Sequence, residues 1–105
     1  MDSAAEVGRY LKDKLDQLKE KFPVIRDVRG LGLMIGLELA NNDAHRTPNP
    51  DLRNRVVRKA FENGLLLLGC GDSAVRFCPP LVGTSKEVDV AVSIFRTVLE
   101  QLLDS

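Results

Sequence analysis

The sequence predicts an α+β fold: one antiparallel four-stranded sheet covered by helices, in the order α-β-β-α-β-β-α. Three segments place apolar residues at steps of three and four, the spacing that gives a helix one buried stripe. Between them lie two pairs of short apolar runs, each pair joined by a glycine-containing bend, which is the pattern of a β-hairpin. Two hairpins and three helices in 105 residues make one small domain. A hydrophobic fraction of 44% supports a single modest core.

The first helix is expected from Ser3 to Lys21. Val7, Leu11, Leu15, Leu18 and Phe22 form its apolar face, and Lys19 and Lys21 suit the negative end of the helix dipole. Pro23 ends it, because the residue before a proline is pushed out of the α region. Val24–Val28 reads as a short strand and Arg29-Gly30 as a bend. Leu31, Leu33, Ile35, Leu37 and Leu39 then alternate with Gly32, Met34, Gly36 and Glu38, so the second strand has one aliphatic face. Its other face carries two glycines, which mark places where a backbone or a ligand comes close.

Asn41–Pro50 is a polar loop holding His45, the one histidine. A second helix is expected over Asp51–Asn63, with Leu52, Val56, Val57, Ala60 and Phe61 on one face and Gly64 as its C-terminal cap. Leu65–Leu68 reads as a buried strand, Gly69–Ser73 as a turn and Ala74–Cys78 as the return strand. After Pro79 and Pro80, Thr84 and Glu87 have the spacing of a capping box. Val88, Ala91, Val92, Phe95, Val98, Leu99 and Leu102 mark the buried face of the third helix.

Composition excludes several classes of function. Fifteen basic and fifteen acidic side chains cancel, there is no tryptophan, and there is one tyrosine, so neither a basic footprint nor a base-stacking platform for nucleic acid is present. Met1–Glu6 has no apolar signal core, and no stretch approaches the roughly 18 apolar residues of a membrane span. A soluble, cytoplasmic protein is expected. Cys70 and Cys78 read as free thiols rather than as a disulfide scaffold.

Most candidate motifs fail on chemistry. Gly30, Gly32 and Gly36 miss the dinucleotide fingerprint, whose third glycine falls on Ile35, and the segment continues as a strand. Gly69-Cys70-Gly71 is followed by neither the lysine-hydroxyl pair nor the helix of a phosphate loop. It reads as a hairpin turn that leaves room beside a ligand at most. His45 has no metal-ligand partners at suitable spacing. Neither cysteine has a histidine nearby to act as a base. No catalytic residue and no metal ligand is assigned.

Arg76 remains. In Ala74-Val75-Arg76-Phe77-Cys78-Pro79-Pro80-Leu81, one arginine interrupts a short apolar strand that two prolines then stop. If Val75 and Phe77 face the helices, Arg76 faces the opposite side with Ala74 and Cys78. Arginine is seldom buried without a partner, and its planar fork fits a carboxylate or phosphate through two hydrogen bonds. Arg76 therefore either ties down an internal acid or presents a cation to an anionic ligand.

Three blocks resemble a known family: Val28-Arg29-Gly30-Leu31-Gly32-Leu33-Met34-Ile35-Gly36-Leu37-Glu38-Leu39, then Gly64-Leu65-Leu66-Leu67-Leu68-Gly69-Cys70-Gly71, then Val75–Leu81. In order and spacing they are similar to the C-terminal domain of the class III aminotransferases, the pyridoxal-phosphate enzymes of the ornithine, acetylornithine and 4-aminobutyrate group. The likeness runs from Ala5 to Leu102 and is nearest the 4-aminobutyrate branch. Related amino-acid racemases and epimerases share much of it.

The resemblance implies the small domain of the fold type I pyridoxal-phosphate transferases. It implies that residues 1–105 cap the active site of a homodimeric enzyme that moves an amino group from an amine donor to 2-oxoglutarate. Arg76 would there bind the substrate α-carboxylate, or be held by a glutamate of the large domain while an ω-amino substrate reacts. The Schiff-base lysine and the phosphate-binding groups belong to that large domain. Lysines 12, 14, 19, 21, 59 and 86 do not sit in such a context. The chain alone is accordingly expected to bind no cofactor and to be inactive. The rival expectation is a non-catalytic module that folds or associates by itself.

Overall fold

A computed structural model describes residues 4–31, 34–41, 44–45, 47–77 and 84–103. The element order is α1 (Ala4–Lys21), β1 (Ile25–Leu31), β2 (Met34–Leu39), α2 (Pro50–Glu62), β3 (Leu68–Cys70), β4 (Ala74–Phe77) and α3 (Ser85–Leu103). The four strands form one sheet in the order β1-β2-β4-β3, with every neighbouring pair antiparallel. Helix α1 packs over β1 and β2, and α2 over the β3–β4 side. Helix α3 lies against both.

The first hairpin is longer than its sequence suggests. Arg29 and Gly30 are not a bend. They continue β1, pairing with Gly36 and Ile35, and Leu31 pairs with Met34. The connection falls on residues 32–33, which lie outside the described residues. A strand tolerates Arg29 here because its side chain points to the uncovered face of the sheet and finds acids there. Gly30 has open space around it, since a Cβ added there meets nothing within 4 Å.

Ile25 and Val28 are both buried, although three residues apart they would face opposite sides of a regular strand. A bulge between Ile25 and Asp27 resolves the conflict. The extra residue shifts the phase, so Ile25 pairs with Leu39 and Val28 with Leu37, all four toward the helices.

The run Leu65–Leu68 is not a buried strand. Leu65 and Leu67 are buried, Leu66 and Leu68 are exposed, and β3 begins only at Leu68. The residues before it close α2 instead. Leu65 N–H donates to Ala60 O and Gly64 N–H to Phe61 O, the paired bonds of a Schellman cap, with Gly64 at φ +89°. The turn is residues 71–73, with Gly71 at φ +57°. Buried Ser73 accepts from Leu39 N–H through its carbonyl, tying the turn to β2. Cys78, expected at the end of β4, lies outside the described residues, as do Pro79, Pro80 and Leu81.

Helix α2 starts one residue earlier than expected. Asn49 caps it by accepting from Leu52 N–H at 3.0 Å, and Pro50 occupies the first turn, where its missing N–H costs nothing. Thr84 Oγ1 accepts from Glu87 N–H and donates to Glu87 Oε1, so the hydroxyl half of the anticipated capping box forms, while the carboxylate takes the hydroxyl. The polar loop is zipped at its ends by Asn41 N–H to Thr47 O and Asn49 N–H to Leu39 O, and His45 is exposed.

Val7, Leu11, Leu15 and Leu18 meet Ile35, Leu37, Val75 and Phe77 of the sheet and Val88, Phe95, Val98 and Leu99 of α3 in one core. Phe77 and Phe95 pack edge to face with centroids 5.2 Å apart. Phe61 departs from expectation. It is 69% exposed, because α2 turns only Leu52, Val56 and Ala60 fully inward. No helix among the described residues is long and apolar enough to cross a membrane.

Candidate functional site

Since all three helices cover one face of the sheet, the other is left open. Alternation decides which side chains reach it. Val75 and Phe77 are buried beneath the helices, so Arg76 projects from the open face, as its neighbours in sequence implied. It sits between Gly36 on β2 and Leu68 on β3. Gly36 has no side chain, and a depression of about 240 Å³ opens there, lined by Asp27, Arg29, Gly36, Glu38, Cys70 and Arg76 among others.

The charges around this depression fall into two groups. On the β1 side, Arg29 Nε donates to Asp27 Oδ2 at 2.5 Å. Arg29 and Arg26 each approach Glu38 at 3.8 Å, one at either carboxylate oxygen. The hydrogen bond from Arg29 holds the Asp27 carboxyl below its usual range, and the same bond raises Arg29. Two acids and two arginines thus satisfy one another. Arg76 is outside the cluster. No described residue makes an ion pair with it, and its Nε is enclosed without a hydrogen-bond partner.

An enclosed donor left unpaired costs about 1–3 kcal/mol. Of the two roles open to Arg76, the tie to an internal acid is therefore not made within the described residues. What stands beside Gly36 is a guanidinium with donors to spare, next to a space bounded by glycine, alanine and cysteine. Such a group can take a carboxylate or phosphate. Of the potential bases and nucleophiles lining the depression, Asp27 and Glu38 are held by arginines and Cys70 has no histidine beside it among the described residues.

The remaining candidates are dispersed. Cys70 is free, half-buried and lines the depression. His45 is exposed in the polar loop. Gly69 faces away from the depression, toward Arg53 of α2. The sequence reading missed Arg53 and the cluster of Arg26, Asp27, Arg29 and Glu38. The cluster was hidden by placing a bend at Arg29. Arg53 left one faint trace, a cation in the first turns of a helix, where the dipole disfavours it.

The chain's lysines do not fit a pyridoxal cofactor beside Arg76. All six belong to helices, and none lines the depression. Lys14 and Lys21 border a separate hollow of about 270 Å³ between α1 and α3, on the covered side of the sheet.

The sequence matches the aminotransferase class-III family over residues 1–99. It is 46% identical over 90 residues to the acetylornithine aminotransferase of Clostridium acetobutylicum, covering 86% of this chain and 21% of that protein. To the alanine/serine racemase of Pyrococcus horikoshii it is 35% identical over 105 residues, covering 98% and 22% respectively. The fold superposes on a thermostable omega transaminase 4-fold mutant from Pseudomonas jessenii with a TM-score of 0.80 and 32% identity, over 93% of this chain and 22% of that one. The chain therefore spans under a quarter of the length of these relatives. A match over nearly all its residues, together with the shared fold, shows that this chain belongs to the class-III aminotransferase family.

Proposed function

We propose that this chain acts as the small C-terminal domain of a class-III aminotransferase and that Arg76 binds the carboxylate of its amino-acid and 2-oxo-acid substrates. One observation carries the reading. On a face where every other described arginine is paired with an acid, Arg76 holds an enclosed Nε with no partner. A carboxylate seated over Gly36 would accept two parallel hydrogen bonds from the guanidinium, the strongest neutral-pH arrangement open to either group. The neighbouring acids do not compete, because Arg26 and Arg29 already hold them.

On this reading the large domain, which would hold pyridoxal phosphate, and the second copy of a homodimer come from outside these residues. The acceptor is 2-oxoglutarate and the donor an ω-amino acid such as 4-aminobutyrate. The setting is cytoplasmic. The test is Arg76→Ala and Arg76→Lys in the full-length enzyme. Losing a bidentate charged contact costs about 2–5 kcal/mol, so KM for 2-oxoglutarate should rise at least tenfold, with lysine recovering only part. An unchanged KM overturns the proposal.

The similarity to a racemase favours a second reading, in which Arg76 holds the carboxylate of one amino acid while its α-carbon is inverted. Assaying the full-length enzyme for loss of optical activity without a 2-oxo acid distinguishes the two. A third reading, self-association without catalysis, draws on the exposure of Phe61, Leu66 and Val90. Sedimentation of the chain reads it directly.

A further inference from the structure

The strand that carries Arg76 has little to hold it on one side. Its partner β3 has three residues and is the edge of the sheet. An edge strand this short contributes few ladder bonds and frays readily. Helix α2 supplies a second hold from the covered side. Arg53 Nη1 donates to the carbonyl oxygens of Cys70, Gly71 and Ala74 at 3.3, 3.3 and 3.2 Å, and Arg53 Nε donates to Asn54 Oδ1 at 2.8 Å.

Those three carbonyls surround the hairpin's closing pair, Cys70 opposite Ala74. Arg76 is two residues beyond Ala74 on the same strand, with its side chain on the face of the sheet away from Arg53. Gly69 makes room for the contact. A Cβ built there would lie 3.1 Å from Arg53 Nη1, so even a methyl group would press the guanidinium back by a few tenths of an ångström. Arg53 also lies in the first turns of α2, where the helix dipole disfavours a cation. The hairpin carbonyls compensate, because each presents partial negative charge to it.

We propose that Arg53 is a positioning residue for Arg76: seated over Gly69, it clamps the β3–β4 hairpin from behind and so fixes where Arg76 points on the open face. Only the identity of Arg76's ligand rests on the carboxylate reading. The clamp itself does not.

The test compares the unaltered chain with Arg53→Met, Gly69→Ala and the double variant, all labelled with ¹⁵N. Two readouts are followed: amide hydrogen exchange in both hairpins and the Arg76 Nε–H resonance. In Arg53→Met, exchange at Leu68–Cys70 and Ala74–Phe77 should quicken about tenfold or more, and in Gly69→Ala it should quicken by less, while the β1–β2 ladder keeps its protection. The Arg76 Nε–H resonance should shift or broaden. The double variant should be no worse than Arg53→Met, since both changes act through one contact. Equal quickening in both hairpins, an unmoved Arg76 resonance or additive effects would overturn the clamp. If Arg53→Met does not fold, Arg53→Lys decides the matter, because it keeps the charge but loses the planar fork that reaches the three carbonyls, and it should quicken exchange in the β3–β4 hairpin alone. Titration of the unaltered chain with 2-oxoglutarate is a separate measurement. Its failure would remove the carboxylate reading and leave the exchange result standing.

Discussion

The two hairpins share a sheet and a core but are held by different forces. In β1–β2, seven and six residues pair over a long register, and the open face is laced by Arg26, Asp27, Arg29 and Glu38. In β3–β4, three and four residues pair, and the open face has one charged side chain, Arg76, with no described partner. Its support comes from behind: Phe77 on Phe95, Ser73 on β2 and Arg53 on the turn. The first hairpin spends its open face on its own ion pairs. The second keeps that face free, and a free face is what a binding site requires.

The largest effect should come from removing the apolar support of the second hairpin. Phe77→Ala empties a fully buried site against Phe95 and should cost about 3–5 kcal/mol, read as a lower urea midpoint. A loss below about 1 kcal/mol would show that β4 is not anchored through this ring.

The glycines should separate the hairpins next. Gly71 has φ +57° with open space around it, so Gly71→Ala tests backbone strain alone and should cost about 1–2 kcal/mol. Gly30 in β1 has neither a positive φ nor a close neighbour, and Gly30→Ala should be neutral or stabilising by about 0.5 kcal/mol. Equal losses from both changes, measured by thermal melts, would erase the distinction.

The smallest effect concerns the ion pairs. The Asp27 carboxyl is held below its ordinary value of 3.8, chiefly by the hydrogen bond from Arg29. A depressed acid adds stability above its unfolded value, and that contribution is lost as pH falls through the folded one. Asp27 is 38% exposed, so the gain at pH 7 should be below about 0.5 kcal/mol. Asp27→Asn should be slightly less stable than the unaltered chain at pH 7, and the gap should close in acid well below pH 4. A gap that widens in acid would reverse the assignment.

Much of this architecture was legible because periodicity reports directly on burial. The faces of α1 and α3, the aliphatic face of β2 and the outward projection of Arg76 all follow from spacing alone. Where two signals competed, reading failed. Arg29-Gly30 has the composition of a bend, yet the acids across the open face let β1 run on to Leu31. Leu65–Leu68 has the composition of a strand, but Gly64 needs the first of those residues to close α2. Phe61 follows Val57 by four residues and so extends the apolar face of α2, yet only Leu52, Val56 and Ala60 of that face turn fully inward.

The sequence by itself determined the class of fold, the order of its elements and the face of β4 from which Arg76 projects, because all three depend on local alternation of apolar and polar side chains. Only the tertiary structure decided that the neighbouring acids are taken by Arg26 and Arg29, that Arg76 has no partner among the described residues, and that Arg53 reaches the turn of its hairpin. Those facts depend on strand register and on helix placement over the sheet. Both arise from contacts between residues far apart in the chain, and no local pattern records such contacts.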